Sequence, residues 1–133
     1  GQQNCVGHAV RRVVHSAQRM GHAMHNAKAH VREALPTIME YNAPCTGEKY
    51  REIARAMGVE GVDAMSQEEY RAAACAAVKK LSQDVGIPAD LKEIVKEEDV
   101  QFLAESAYAD ACRPGNPRDT SVEEIAALYR SLM

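Results

Sequence analysis

The chain has 133 residues, a net charge of −3, 46% hydrophobic and 26% charged residues, which fits one soluble globular domain that buries a core without staples. A weakly acidic chain excludes general affinity for nucleic acid, and no apolar run reaches the length of a membrane span. Aromatics make up 5%, with no Trp and one Phe, so Ala, Met, Leu and Val must fill the interior, which favours closely packed helices.

Val6 to Val31 forms the first predicted helix. Val6, Val10, Val13, Ala17, Met20, Met24, Ala27 and Val31 recur at steps of four and three, a helical seam. All five histidines, His8, His15, His22, His25 and His30, lie in this stretch. His8, His15 and His22 sit on the face opposite the seam, where they meet water, a partner or a site. The first 32 residues carry Arg11, Arg12, Arg19, Lys28 and Arg32 and no acid. The rest holds all nineteen acids against eleven bases, a net −8. The basic face is expected to dock on this acidic remainder, with an acidic partner as the alternative. There is no aromatic interleaving of the kind that binds nucleic acid.

A second stripe, Val31, Ala34, Leu35, Ile38 and Met39, is helical, with Pro36 either starting a new helix or kinking one. Tyr41 to Pro44 ends it. Thr46 is expected to cap the next helix, with Glu48 in its first turn; Tyr50, Ile53, Ala54 and Met57 give its buried face and Gly58 stops it. Ser66 and Glu69 form a capping box, with Met65 and Tyr70 as a hydrophobic staple. Tyr70, Ala74, Ala77, Val78 and Leu81 make the apolar face that follows, and Gly86-Ile87-Pro88 reads as a cap and a stop. A short turn of helix is expected over Leu91 to Val95. Asp99 starts the next helix, with the stripe Val100, Leu103, Ala104, Ala107, Tyr108 and Ala111. Arg113 to Pro117 must be a loop. Thr120 with Glu123 is a second capping box, and Val122, Ile125, Ala126, Tyr129 and Leu132 face inward on the last helix.

No segment alternates with period two long enough to be a strand. The expectation is an all-α bundle of about six helices. It forms one domain over residues 1–133: a His-rich basic first helix, residues 1–32, and a core, residues 33–133. Cys5, Cys45, Cys75 and Cys112 include no C-x-x-C pair and read as free thiols of a reducing, cytoplasmic compartment. Helix pattern from the first residues onward reads as a piece of something longer.

Three blocks carry a resemblance: Pro36 to Asn42 (PTIMEYN) running into Thr46 to Gly58 (TGEKYREIARAMG); Asp84 to Pro88 (DVGIP); and Asp110 to Arg118 (DACRPGNPR) with the helix after it. In order and spacing, from about residue 33 to the end, the chain resembles the C-terminal half of the iron-dependent alcohol dehydrogenases. That resemblance implies a helical metal-binding domain which, in a complete enzyme, follows a nucleotide-binding α/β domain. The NAD(P) site and the family's Asp and first His ligand would then lie outside this sequence. An exposed apolar surface is expected where that neighbour sat, so association with it or with a second copy is expected too.

The resemblance places two metal ligands in residues 1–32, and the match there is partial. Val14-His15-Ser16 fits the start of the family's Val-His-Ser/Gly-x-Ala-His motif. The second motif histidine falls on Arg19. The histidine of the later Pro-His-Gly falls on Ala29, beside His30, or on Ala27 by a gapless count back from Pro36. Divergence and a shifted reading frame would each produce this. The resemblance implies His15 and His30 as ligands of iron or zinc, which suit neutral imidazole. It implies Cys112 and, in the same loop, Asn116 as substrate-pocket residues. The plainer readings are exposed helix histidines, a small buried cysteine and a turn asparagine. No catalytic residue is assigned. The implied activity is NAD(P)-dependent oxidation or reduction of small alcohols and aldehydes in the complete enzyme, none in the isolated chain. The other expectation is a degenerate, non-catalytic helical module that associates through its basic first helix. His8, His15 and His22 cannot share one ion, since seven residues of helix rise roughly 10 Å while a Zn–N bond is about 2 Å. His22 and His25 are close enough to share one, though a solvated face is the better explanation of them.

Overall fold

The computed structural model describes residues 27–111 and 113–133, with side chains from Glu33 onward. Those residues form five α-helices: α1 (Ala27–Asn42), α2 (Lys49–Ala56), α3 (Gln67–Asp84), α4 (Glu97–Tyr108) and α5 (Val122–Ser131). Three single-turn 3-10 helices sit in the connections, and the described residues contain no strand. The all-α architecture is therefore as expected. The first predicted helix lies outside the described residues as far as position 26, and its last positions belong to α1. Among the described residues no helix is long and apolar enough to cross a membrane.

Helix α1 is the shared wall of two apolar clusters. Ala34 and Ile38 join Leu91, Val95, Val100, Leu103, Ala104 and Ala107 with Ile125, Ala126, Tyr129 and Leu132. Met39 joins Tyr50, Ala54, Val62, Tyr70, Ala74 and Cys75, and Leu35 packs against both groups. Pro36 lies inside α1, so it neither begins nor ends a helix. Its ring removes one N–H from the ladder, and packing on two sides outweighs that loss.

Local signals set several boundaries. Ser66 Oγ accepts from the Glu69 N–H at 3.2 Å while the Glu69 carboxylate accepts from the Ser66 N–H at 2.6 Å, the capping box expected there. At the end of α3, Gly86 takes φ +75°. Ile87 N–H donates to Ser82 O at 2.9 Å and Gly86 N–H to Gln83 O at 3.1 Å, the paired bonds of a Schellman cap. Gly58, at φ +81°, ends α2 the same way.

Elsewhere the expectations need correction. Thr46 does not cap α2: its hydroxyl donates to Ala43 O at 2.8 Å, closing the 3-10 turn before the helix, and Glu48 holds the cap position. Leu91 to Val95 does form the single turn expected, with Ile94 and Val95 N–H both on Leu91 O at 2.9 Å, and it goes no further. Asp99 sits in the first turn of α4 rather than starting it, accepting from Lys96 N–H at 3.3 Å. The last capping box is one residue later than expected. Ser121 and Glu124 form it, because Arg118 holds Glu124 at 3.5 Å while Thr120 N–H turns to Asp119 at 3.1 Å. Leu81 is 50% exposed, since the cluster under α3 ends at Val78. Tyr108 is 40% exposed and is covered by the Arg113 guanidinium, 4.2 Å over its ring. The predicted loop at residues 113–117 contains one 3-10 turn, Arg113–Gly115.

Candidate functional site

The most organised polar junction lies where α1 ends against the loop of residues 113–120. Asn42 follows Ile38 by four residues, so helical geometry carries it onto the same buried stripe. It is 0% exposed, and a buried amide needs partners. Asn116 supplies them. Asn42 Nδ2 donates to Asn116 Oδ1 and Asn116 Nδ2 donates to Asn42 Oδ1, each at 2.9 Å. Asn116 Nδ2 also donates to Arg118 O at 2.6 Å. Both N–H bonds of Asn116 are thus committed, and its Oδ1 keeps one lone pair.

Arg118 spans the same junction. Its guanidinium lies 4.0 Å over the Tyr41 ring, and Nη1 donates to Tyr41 O at 2.9 Å. The Tyr41 hydroxyl donates back to Asp119 O at 3.3 Å. Burial raises the Tyr41 pKa, and the Arg118 charge opposes that shift. Arg113 Nη1 pairs with Asp119 at 3.2 Å. The loop is therefore fixed to α1 by two amides, one guanidinium and one phenol.

Against this junction lies a small cavity of about 60 Å³, lined by Ile38, Ala107, Ile125, Leu128, Tyr129 and Leu132 together with Tyr41, Arg113, Asn116 and Thr120. Asn42, Tyr41, Arg118 and Thr120 were not singled out as site residues from the sequence. The signal for Asn42 was present in its spacing, since Ala34, Ile38 and Asn42 form one row. Its partner, 74 residues away, carried no such signal.

Of the residues expected at a site, His15 and Cys112 lie outside the described residues. So do His8, His22, His25 and the basic residues Arg11, Arg12 and Arg19 expected to dock on the remainder. His30 is in the first turns of α1, with its side chain beyond the description. Asn116 is described, and the fold does not bring it to His30. Asn116 touches Asn42, twelve residues beyond His30 on one helix, or about 18 Å along its axis. Among the described residues no three of His, Cys, Asp and Glu converge as donors for a metal ion. The described residues therefore do not form a metal centre by themselves.

The two described cysteines differ in chemistry. Cys45 is exposed and Cys75 is buried. Burial, and to a lesser degree Glu40, push the Cys75 thiol up to about 11 from its ordinary 9.0. Iodoacetamide at pH 8 is expected to modify Cys45 readily and Cys75 only after unfolding, read by peptide mass mapping; equal rates would contradict the packing around α3. Because burial disfavours the thiolate, this cysteine leaves stability unchanged below pH 9 and lowers it as pH rises from 9 through about 11.

A model of the Fe-containing alcohol dehydrogenase family, C-terminal, matches residues 2–133. Over 98 residues the chain is 52% identical to lactaldehyde reductase of Escherichia coli (strain K12), covering 73% of this chain and 25% of that protein. Over 97 residues it is 39% identical to 1,3-propanediol dehydrogenase of Klebsiella pneumoniae, covering 72% of this chain and 25% of that protein. Among solved structures, 1,3-propanediol oxidoreductase superposes with a TM-score of 0.85 at 32% identity, over 94% of this chain and 32% of that one. Alcohol dehydrogenase from Oenococcus oeni gives 0.82 at 32% identity, over 93% and 32%. The chain spans about a quarter of the length of these curated relatives.

Proposed function

Because this chain belongs to the Fe-containing alcohol dehydrogenase family, as its C-terminal part, we propose that it forms the helical wall of an alcohol or aldehyde oxidoreductase. The observation that carries this reading is the match of residues 2–133 to that family's C-terminal part, together with relatives that act, by their names, on lactaldehyde and 1,3-propanediol. The finer reading is that small alcohols and aldehydes are oxidised or reduced with NAD(P), which binds outside these 133 residues.

His15 and His30 are the chain's proposed metal donors. Neutral imidazole suits iron or zinc, and the chemistry such an ion supplies is Lewis-acid polarisation of an oxygen. Two imidazoles are an incomplete set, so the remaining donors come from beyond these residues. Cys112 borders the substrate pocket in this reading. Asn116 acts through its bonds to Asn42 and Arg118, which hold the loop that carries Cys112, rather than by touching the metal. Residues 1–133 are read as one helical domain that associates with a nucleotide-binding domain or a second copy.

One feature favours a rival, a degenerate helical module without catalysis: Arg19 stands where the resemblance calls for a histidine. Two measurements decide. The 133-residue chain with Fe²⁺ and NAD⁺ is expected to give no alcohol oxidation; clear turnover would refute the need for further residues. Stoichiometric iron or zinc that disappears in His15→Ala would refute the degenerate module, and metal content of the complete enzyme left unchanged by His15→Ala and His30→Ala would refute the ligand assignment.

A further inference from the structure

We propose that the cavity where α1 faces the second half of α3 binds a small zwitterion, an α-amino acid with a short apolar side chain such as valine. Its ammonium would meet Glu40, its carboxylate Lys79, and its side chain Pro36, Ile87 and Leu132, all of which line that space. No residue of the loop at 113–120 lines it, and it needs no metal or nucleotide, so the inference does not rest on the oxidoreductase reading.

Helical spacing builds the two walls. Glu33, Thr37 and Glu40 recur at steps of four and three along α1, so they share one face of that helix. Lys79, Ser82 and Gln83 share a face of α3 in the same way. The two polar rows border one cavity of about 200 Å³. On the scale where roughly 150 Å³ holds benzene, that space admits about eight non-hydrogen atoms, the size of valine. Close to half of the wall is polar and the rest is hydrocarbon. A purely apolar guest would strand the donors and acceptors, and a purely polar one would leave the hydrocarbon side wet.

Charge then selects the guest. Glu33 is 6% exposed and already engaged, which leaves Glu40 and Lys79 as the free charges. They have opposite signs and stand on facing helices, yet among the described residues neither has an ion-pair partner. A simple anion would meet Lys79 but be repelled by the carboxylates, and a simple amine would meet Glu40 but be repelled by Lys79. A zwitterion bridges the two groups and satisfies both at once. Glu40 and Lys79 are themselves exposed, so each contact contributes little and binding is weak.

Methyl-resolved NMR of the 133-residue chain tests this at low salt, where exposed charges are least screened. The probes share one shape: valine, isobutylamine, which lacks the carboxylate, and isovalerate, which lacks the amine. Saturable shifts of the Ile87, Ala89 and Leu132 methyls are expected, with valine acting at several-fold lower concentration than either fragment. Glu40→Gln is expected to weaken valine and isobutylamine several-fold and to spare isovalerate. Lys79→Gln is expected to weaken valine and isovalerate and to spare isobutylamine. Because both side chains are exposed, neither change threatens the fold. Equal binding of the three probes, or variants that alter all of them alike or none, would overturn the zwitterion assignment. Shifts that spread over the whole chain without saturating would overturn the site.

Discussion

Leu103→Ala should lower the unfolding free energy by about 4 kcal/mol, in the upper part of the range for buried leucines. Leu103 is 2% exposed and sits in the middle of α4. Its cluster includes Ala34, Ala104, Ala107 and Ala126. Alanines have no rotamers with which to move into a vacated space, so the hole persists and its full cavity cost adds to the lost transfer energy. Cores rich in long side chains relax further and lose less. The effect is large against a total stability of about 5 to 15 kcal/mol, and it falls on the packing that holds α4 against α5. Urea denaturation followed by circular dichroism measures it. A loss under about 1 kcal/mol would mean that the cluster can collapse and that its alanine-rich character does not set its stiffness.

Asn42→Leu should cost about 2 kcal/mol, for a different reason. The substitution preserves approximate volume and adds apolar surface, so a purely hydrophobic view predicts a gain. Two amide hydrogen bonds disappear, however, each worth about 1 kcal/mol net. Asn116 is only partly buried, so water recovers some of what its amide loses, which keeps the figure from rising further. A double-mutant cycle with Asn116→Ala isolates the pair, and a coupling of about 1 to 2 kcal/mol is expected. Strictly additive losses would show that the reciprocal bonds contribute nothing to joining the loop to α1.

Tyr50 illustrates how the cluster between α1, α2 and α3 combines polar anchoring with apolar surroundings. It is 1% exposed and its hydroxyl donates to Met39 O at 2.9 Å. Burial raises its pKa strongly, so the phenol stays protonated and the bond to α1 persists into alkaline solution. The connection between α1 and α2 is held in the same manner. Gly47 O accepts from Gln67 Nε2 at 3.1 Å, Arg71 Nη2 at 2.9 Å and, more loosely, Tyr70 Oη at 3.4 Å. One carbonyl on a glycine at φ +55° thus gathers three side chains of α3.

By itself the sequence determined the helical character of the described residues, the start of α3, the ends of α2 and α3, and the family. Apolar spacing, Ser66 with Glu69, Gly58 and Gly86 act within a few residues of themselves, so their effect could be read without knowing what packs nearby. The three blocks from Pro36 to Arg118 were likewise a property of the string. Which of two adjacent capping boxes opens α5 follows a local contact, Arg118 with Glu124 six residues on, whereas other choices belong to tertiary structure. It decided that Leu81 stays near water, because the cluster under α3 ends at Val78, and that Tyr108 stays partly exposed beneath the Arg113 guanidinium. It also joined Asn42 to Asn116 across 74 positions and left His30 at the other end of α1. Local signals propagate along a helix, whereas these choices depend on which surfaces meet, and a long-range contact leaves no periodic trace in either of the segments that make it.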